Sequence, residues 1–280
     1  MRKRHALPFP ILHEDDDVIV IAKPAGLLST HTHVIGRAAR EAQLTAENLL
    51  DDYVRKGQAK SRRRVWLVHR LDRETSGVMM FAKSEEVAEA FRSDWNNLTE
   101  KKYLARVEGE LEEDSGVFES YLAEDKDGYK VRSVRVDLGS VRIGVGSGSH
   151  DGDLTLRDSK QTLKDPKQTL RDSKIKSGKF ARTEWRRLSV EDGTTLVEVS
   201  LKSGRKNQIR VHFSEAGHPV IGDEKYGGER ASRLYLHALS LRFRHPRTGE
   251  WLEFTAPPPA GLEENGSRTA ARKVKPATKP

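Results

Sequence analysis

Short apolar runs of strand length recur along the chain, and they constrain its fold more than any other feature of the sequence. Several are rich in valine and isoleucine, whose branched side chains favour strands. They occupy residues 17–22 (DVIVIA), 65–68 (VWLV), 78–82 (VMMFA), 102–107 (KYLARV) and 195–201 (TLVEVSL). Turn-forming residues stop several of them, including Pro24 and Gly26 after the first run and Gly109 after the fourth. We therefore predict a chain built around a β-sheet.

Three further segments have the pattern of short helices. Thr45 can cap the first helix, which has one apolar stripe and ends near Gly57. Ser84 can cap the second, whose apolar face is formed by Val87, Phe91, Trp95 and Leu98. Residues 204–215 resemble a turn that leads into a third helix.

The chain is strongly basic. Its 280 residues include 50 lysines and arginines against 42 acidic residues, which gives a formal net charge of +8. This balance favours a polyanionic partner, either nucleic acid or an acidic membrane surface, although a protein that is merely basic is the alternative. Because the chain has no cysteine, disulfides, thiolate nucleophiles and cysteine-based zinc sites are excluded.

Composition also divides the chain. We predict a basic leader over residues 1–10, one domain over residues 11–262 and a disordered basic tail over residues 263–280. Within the domain, residues 144–177 pass from a glycine-rich stretch into tandem repeats (TLRDSKQ, TLKDPKQ, TLRDSK) with one leucine each. A coiled coil needs two apolar positions per heptad and Pro166 would break a helix, so we predict a disordered insertion, with a lone charged helix as the alternative.

Nothing in the sequence predicts a membrane segment or a secretory signal. There is no run of about 18 apolar residues, and the basic start is not followed by an apolar stretch. We therefore expect a cytoplasmic protein without a membrane partner.

Residues 69–77 (HRLDRETSG) carry the most chemistry. Asp72 lies among the basic residues His69, Arg70 and Arg73, and residues 62–64 (RRR) lie just upstream. A carboxylate held beside guanidinium groups stays ionised, and in a closed pocket it can act on a sugar carbon as a nucleophile or a base. The arginines can bind phosphates at the same time. A surface loop with an Arg–Asp–Arg ion network explains the same residues.

Two other segments could contribute to a site with Asp72. In residues 101–105 (KKYLA), a strand places Tyr103 beside basic residues, where its ring can stack on an extruded base. In residues 204–212 (GRKNQIRVH), a helix would place Arg205 on the same face as Gln208. A tyrosine packed in a core and an ordinary basic helix are the alternatives.

Taken together, these segments resemble the RluA-type RNA pseudouridine synthases, over about residues 11–258 with 144–177 interrupting. The likeness rests on motifs in the family's order: residues 16–27 (ending KPAGL), HRLDRETSG, KKYLARVEG, LKSGRKNQIRVH, GHPVIGDEKYGG and RLYLHALSLRFRHP. The catalytic signature HRLDRETSG is matched almost letter for letter. Lys206 and Asn207 depart from the pattern, since many relatives have threonine or serine and then histidine there, and this puts some RNA contacts in doubt.

The resemblance implies an α+β fold with a central mixed, mostly antiparallel sheet flanked by helices, an RNA cleft between two halves, and residues 11–262 as the catalytic domain. It implies that Asp72 promotes cleavage of the uridine glycosidic bond, by covalent attack or by removal of a sugar proton, and that Tyr103 stacks on the flipped uracil and helps at carbon 5. Arg210 would pair with the catalytic aspartate. The expected RNA contacts are His69, Arg70, Arg73, Lys102, Arg205 and Lys206.

The same likeness implies isomerisation of specific uridines to pseudouridine in rRNA or tRNA, after base flipping. Such an isomerisation needs no cofactor, metal or nucleotide, and we expect a monomer. The small N-terminal RNA-binding domain of many relatives is expected to be absent. Two alternatives from other classes are an RNA-binding or ribosome-assembly protein without catalysis, and a metal-dependent nuclease or phosphotransferase.

Overall fold

The structure is a computed structural model that describes residues 7–31, 43–56, 58, 60–125, 130–134, 137–138, 141–142 and 178–263. The described strands are β1 Ile11–Glu14, β2 Val18–Lys23, β3 Trp66–Leu67, β4 Ser76–Ala82, β5 Thr99–Glu108, β6 Ser115–Glu124, β7 Val131–Val134, β8 Asp137–Leu138, β9 Val141–Arg142, β10 Lys179–Glu191, β11 Thr194–Leu201, β12 Leu236–Arg244 and β13 Trp251–Thr255. The described helices are α1 Ala46–Arg55, α2 Glu85–Ser93, α3 Trp95–Leu98 and α4 Gln208–Glu215, with a 3₁₀ turn at Glu224–Tyr226.

Eleven of the strands form one mixed sheet, which confirms the predicted fold class. The strand order is β1–β2–β4–β12–β5–β11–β10–β6–β7, with β3 beside β4 and β13 beside β12. All pairs in this sheet are antiparallel except β4 with β12, which pair in parallel through His237 with Ser76 and Ala238 with Gly77. Strand β12 therefore lies between β4, which begins at the end of the HRLDRETSG segment, and β5, which carries the KKYLA segment.

Both faces of the sheet are covered around β2 and β4, which explains why these strands are almost continuously apolar. Side chains of a strand alternate between faces. Accordingly, Ile19 and Ile21 pack in one core cluster with helices α1 and α4, whereas Val18 and Val20 pack in the other with helix α2.

The predicted helix caps at Thr45 and Ser84 are confirmed, since their hydroxyls accept hydrogen bonds from Asn48 N and Val87 N. The prediction of a single helix that runs to Leu98 is wrong. The helical conformation is interrupted at Asp94 (φ −138°), which lies between α2 and α3. Aspartate and asparagine compete for helical hydrogen bonds, and the Asp94 carboxylate binds the Asn97 amide instead.

The predicted leader differs partly from expectation. Phe9 is buried in the larger core cluster and Leu7 packs against it, so these residues belong to the folded domain. The 144–177 insertion and nearly all of the predicted tail lie outside the described residues. Within the described part of the chain, no helix combines the length and the apolar character needed to cross a membrane.

Candidate active site

The loop that carries Asp72 is held by hydrogen bonds to its backbone on both sides of this residue. Ser29 Oγ donates to Leu71 O at 2.7 Å and accepts from Leu71 N at 3.1 Å. Arg73 O accepts from Gly26 N at 2.9 Å and from Lys23 Nζ at 3.1 Å. The segment 23–29, which resembles the KPAGL motif, therefore fixes the position from which Asp72 projects.

Lys23 is a positioning group that sequence reasoning missed. Its side chain is almost fully buried, and its ammonium donates to the carbonyl oxygens of Pro24, Leu27 and Arg73. Burial lowers the pKa of Lys23 to about 8, although the charges of Glu74 and Asp72 act in the opposite direction and raise it. The available signal was a lysine that directly follows an apolar strand run and precedes a proline.

Arg210 lies at the centre of the site and binds two carboxylates unequally. Its Nε and Nη2 donate to the two oxygens of Asp223 at 2.6 Å each. Its Nη1 donates to Asn207 Oδ1 at 3.2 Å and to Asp72 Oδ2 at 3.4 Å. Burial opposes the charged form, but the hydrogen bonds and charge of Asp223, and then the charge of Asp72, raise the pKa of Arg210. Sequence reasoning found Arg210 and missed Asp223.

Asp72 keeps most of its hydrogen-bonding capacity. The side chain of Asp223 is fully buried, whereas that of Asp72 is 24% exposed and has the long contact to Arg210 as its ion pair in the described structure. A carboxylate can accept about four hydrogen bonds. Asp72 is therefore oriented by Arg210 but open to an incoming group.

Tyr103 stands on β5 in the larger core cluster, with its side chain largely buried. Burial, and secondarily the charge of Asp72, raise the pKa of the Tyr103 phenol. The phenol is therefore neutral at physiological pH and can both donate and accept a hydrogen bond.

One cleft of about 660 Å³ brings Asp72, Tyr103 and Arg210 together. Its walls combine apolar side chains suited to a flat ring, such as Leu71 and Leu236, with polar groups from residues 204–208. Three segments that are far apart in sequence thus meet at one site, as the sequence-based prediction required.

The family profile described as RNA pseudouridylate synthase matches residues 17–215. The chain belongs to this family. It is 31% identical over 249 residues to the dual-specificity RNA pseudouridine synthase RluA of Vibrio parahaemolyticus, which covers 86% of this chain and 80% of the relative. It is also 32% identical to an uncharacterized RNA pseudouridine synthase of Bacillus subtilis, YlyB, over 91% of this chain and 70% of that protein.

Solved structures share the fold of this pseudouridine synthase. Human RNA Pseudouridylate Synthase Domain Containing 4 superposes with a TM-score of 0.62 at 22% identity, covering 90% of this chain and 89% of that one. Human RNA Pseudouridylate Synthase Domain Containing 1 gives a TM-score of 0.58 at 21% identity, with coverage of 91% and 86%. The sequence relatives and the fold agree that the chain is an RNA pseudouridine synthase.

Three of the six residues expected to contact RNA line the cleft of this synthase. Arg70 is exposed at the cleft, and Arg205 and Lys206 lie on the wall that leads into α4. Arg205 donates to Phe180 O at 3.0 Å and Lys206 to Glu124 at 3.0 Å, so both are held in place by the protein.

The other three residues expected to contact RNA, His69, Arg73 and Lys102, are not among the residues that line this cleft, and each has a partner within the protein. Lys102 lies one position from Tyr103 on β5, so alternation directs it to the opposite face, where it approaches Glu198 at 3.4 Å. Arg73 donates to Gly26 O at 3.0 Å, which closes the loop. His69 stacks on the ring of Trp95 in α3, and its Nε2 accepts a hydrogen bond from Met80 N. Burial lowers the pKa of His69 to about 3.

Asn207, where the sequence departs from many relatives, has a defined place in this site. It adopts the left-handed conformation (φ 54°) directly before α4, which asparagine tolerates better than most residues. Its amide nitrogen donates to the Tyr226 hydroxyl at 2.8 Å, while its oxygen accepts from Arg210. The substitution thus contributes a contact that helps to orient Arg210.

Three histidines that do not line the cleft, His212, His218 and His237, form hydrogen bonds within the protein. His212 binds the hydroxyls of Thr183 and Ser120, and burial lowers its pKa to about 4. His237 binds Ser76 Oγ at 2.8 Å, and His218 binds Glu108 O at 2.8 Å.

Proposed function

We propose that this synthase isomerises specific uridines in rRNA or tRNA, with Asp72 as the essential carboxylate. The observation that carries the proposal is the cleft in which Asp72, the more open of the two carboxylates on Arg210, lies with Tyr103. Relatives named as large-subunit pseudouridine synthases, such as that of Pasteurella multocida (30% identical over 92% of this chain and 67% of the relative), support an RNA substrate of this class.

The proposed reaction moves one bond and one proton. The bond between N1 of uracil and C1′ of the ribose breaks, the detached base turns, and C5 bonds to C1′. The proton on C5 leaves and N1 gains one, so substrate and product have the same atoms. Asp72 can promote the first step by attacking C1′ or by removing a proton from the sugar, and its open oxygen suits both routes.

Tyr103 is proposed to stack on the uracil and to assist at carbon 5. A neutral phenol can accept a proton from carbon 5 only if it gives its own hydroxyl proton to another group at the same time. Tyr103 would therefore relay the proton and would not act as an ionised base. The nearby Asp72 is a candidate recipient for the phenolic proton.

The target uridine is proposed to leave the RNA stack before it reaches Asp72, because the reacting atoms are inaccessible in a stacked strand. Arg70, Arg205 and Lys206 at the cleft would bind the flanking phosphates. We further propose that the synthase is a cytoplasmic monomer that requires neither a metal nor a nucleotide cofactor.

The test measures tritium released from carbon 5 of uridine-labelled cellular RNA. Wild-type protein is expected to release tritium, and Asp72→Asn to lose release by at least 1,000-fold, on the order expected for an essential group, while it still binds RNA. Asp125→Asn is the matched control, since Asp125 lines the same cleft without an ion pair to Arg210 in the described structure. No release by wild type on any RNA, or full activity of Asp72→Asn, would contradict the proposal.

A further inference from the structure

A second cavity of about 770 Å³, here named the arginine groove, opens at the end of β4 farthest from the catalytic loop. It is bounded by the end of α1, the loop before β3 and the turns that follow β1 and β4. Its basic lining residues are Lys56, Arg62, Arg63, Arg64 and Lys83. Arg62, Arg63 and Arg64 form the run RRR, here named the arginine triplet, and all three are exposed.

The acidic residues in the groove do not neutralise the arginine triplet. Glu14 accepts from Lys83 Nζ at 3.0 Å and from the Tyr53 hydroxyl at 2.9 Å. The second acid, Asp16, is exposed at the rim. No guanidinium of the triplet forms an ion pair with a carboxylate in the described part of the chain, whereas neighbouring Arg55 pairs with Asp51.

Aromatic rings accompany these charges. The Arg64 guanidinium lies over the half-buried Trp66 ring at 5.3 Å from its centroid, and Tyr53 on α1 is 41% exposed. Guanidinium groups beside exposed rings bind phosphates and stack on bases, which is the chemistry of a nucleic-acid strand.

The groove and the cleft are joined by one short strand. Trp66, beside the triplet, pairs with Ala82 at one end of β4, and Ser76 at the other end follows the loop of Asp72. The seven residues of β4 span about 20 Å. Phosphates of one strand in double-stranded DNA are spaced about 3.4 Å apart along the axis, and a spacing of the same order is expected in RNA. An RNA of several nucleotides can therefore reach both sites.

We infer that the arginine groove binds the phosphate backbone of the substrate RNA beside the target uridine, as a second contact outside the catalytic cleft. This inference rests on the proposed function for the identity of the polyanion. Its role is affinity: the groove holds flanking RNA while the cleft holds the flipped nucleotide, so it acts on RNA long enough to span both.

The experiment compares wild type with R62Q/R63Q/R64Q in binding two fluorescent RNAs, a uridine-loop hairpin with one helical turn of stem and the loop strand alone. The variant is expected to bind the hairpin about tenfold or more weakly at low salt. The slope of log Kd against log salt should fall by about 2 to 3 in magnitude, since up to three phosphate contacts are removed. Affinity for the short strand should change by less than about twofold.

R186Q/R230Q/R244Q is the control variant, because it removes the same charge from exposed arginines that line neither cavity. Equal losses for the two triple variants, or an unchanged salt slope for R62Q/R63Q/R64Q, would overturn the inference. Tritium release separates the two proposals: absence of release by wild type counts against the proposed function alone, whereas the groove is judged on the difference in binding.

Discussion

At the scale of single residues, the most informative detail is that Arg210 binds two carboxylates at different distances. Asp223 takes the two short bonds and leaves Asp72 with the long one. If Asp223 did not hold the guanidinium, Arg210 could close onto Asp72 and occupy the oxygen that the reaction needs. Asp223 therefore acts on Asp72 through Arg210.

We expect Asp223→Asn to lower kcat by about 10- to 100-fold while Kd for RNA changes little, because the neutral amide holds Arg210 less firmly. Single-turnover kinetics and RNA titrations check this. Glu224→Gln, at the exposed neighbouring position, should leave kcat unchanged. A parallel loss of RNA affinity in Asp223→Asn would argue against a positioning role.

Lys101 presents a different problem, since its buried ammonium has no hydrogen-bond partner among the described residues and lies 5.7 Å from the Trp95 ring centroid. Burial, with a contribution from Arg205, lowers the pKa of Lys101 to about 8. The folded state thus binds fewer protons than the unfolded state between about pH 8 and 10.4, so wild-type stability rises with pH across this window.

Lys101→Met should therefore stabilise the protein by about 2 kcal/mol at pH 7, after allowance for the lost contact with Trp95. The gain should shrink as the pH rises above 8. Urea unfolding at pH 7 and pH 9.5 measures both effects, with Lys102→Met on the exposed neighbour as control. A gain that is the same at both pH values would show that the buried charge is not its origin.

At the scale of elements, the parallel pairing of β4 with β12 depends on Gly77. This residue has φ +117°, and a Cβ built on it would lie 2.1 Å from Ala238 O, far inside van der Waals contact. A side chain there must push apart the strands that bring the Asp72 loop beside Tyr103.

Gly77→Ala is expected to destabilise the protein by about 3 kcal/mol or more, from backbone strain and the lost strand contact together. Gly193→Ala isolates the first contribution, because Gly193 also has positive φ (+68°) but open space around its Cβ direction. The control should cost about 1 kcal/mol, because alanine at positive φ brings its Cβ close to a backbone carbonyl oxygen. Comparable melting temperatures for the two variants would contradict the steric argument.

Elements with strong local patterns could be predicted from the sequence, and those defined by long-range pairing could not. Strands β2, β4, β5 and β11 were predicted because each contains a compact apolar run. Strand β6 was missed because it mixes exposed polar residues with small ones, and it is held mainly by its long pairing with β10.

The same division applies to the site. Asp72, Tyr103 and Arg210 were found through motif likeness, whereas Asp223 and Lys23 act through partners that only the folded chain brings near. Arg210 and Asp72 are 138 positions apart, and no local pattern encodes their contact. The positions of Lys102 and His69 away from the cleft could not be predicted, because a basic motif does not say which face of a strand, or which side of a loop, each residue occupies.

At the scale of the whole molecule, the described sheet continues in β10 directly after residues 144–177. Strand β10 begins at Lys179 and pairs with β6 from Lys179 to Arg186. Each seven-residue repeat in the insertion offers a single leucine, too little apolar surface to form a core.

Removal of residues 146–176 is therefore expected to change the melting temperature by less than about 2 °C, since shortening a loop alters closure entropy only weakly. Circular dichroism melts of the full and shortened chains check this. A large fall in melting temperature would mean that the segment packs on the domain.

The position of β12 in the sheet also means that β4 and β5 are synthesised well before the strand that lies between them. Strands β4 and β5 both pair with β12, and His237 emerges from the ribosome 161 residues after Ser76. At roughly 5–20 residues per second, the central strand arrives on the order of ten to thirty seconds after the catalytic loop has been made. During that interval the edges of β4 and β5 that pair with β12 remain without their partner, so chaperones can bind the nascent chain or it can aggregate.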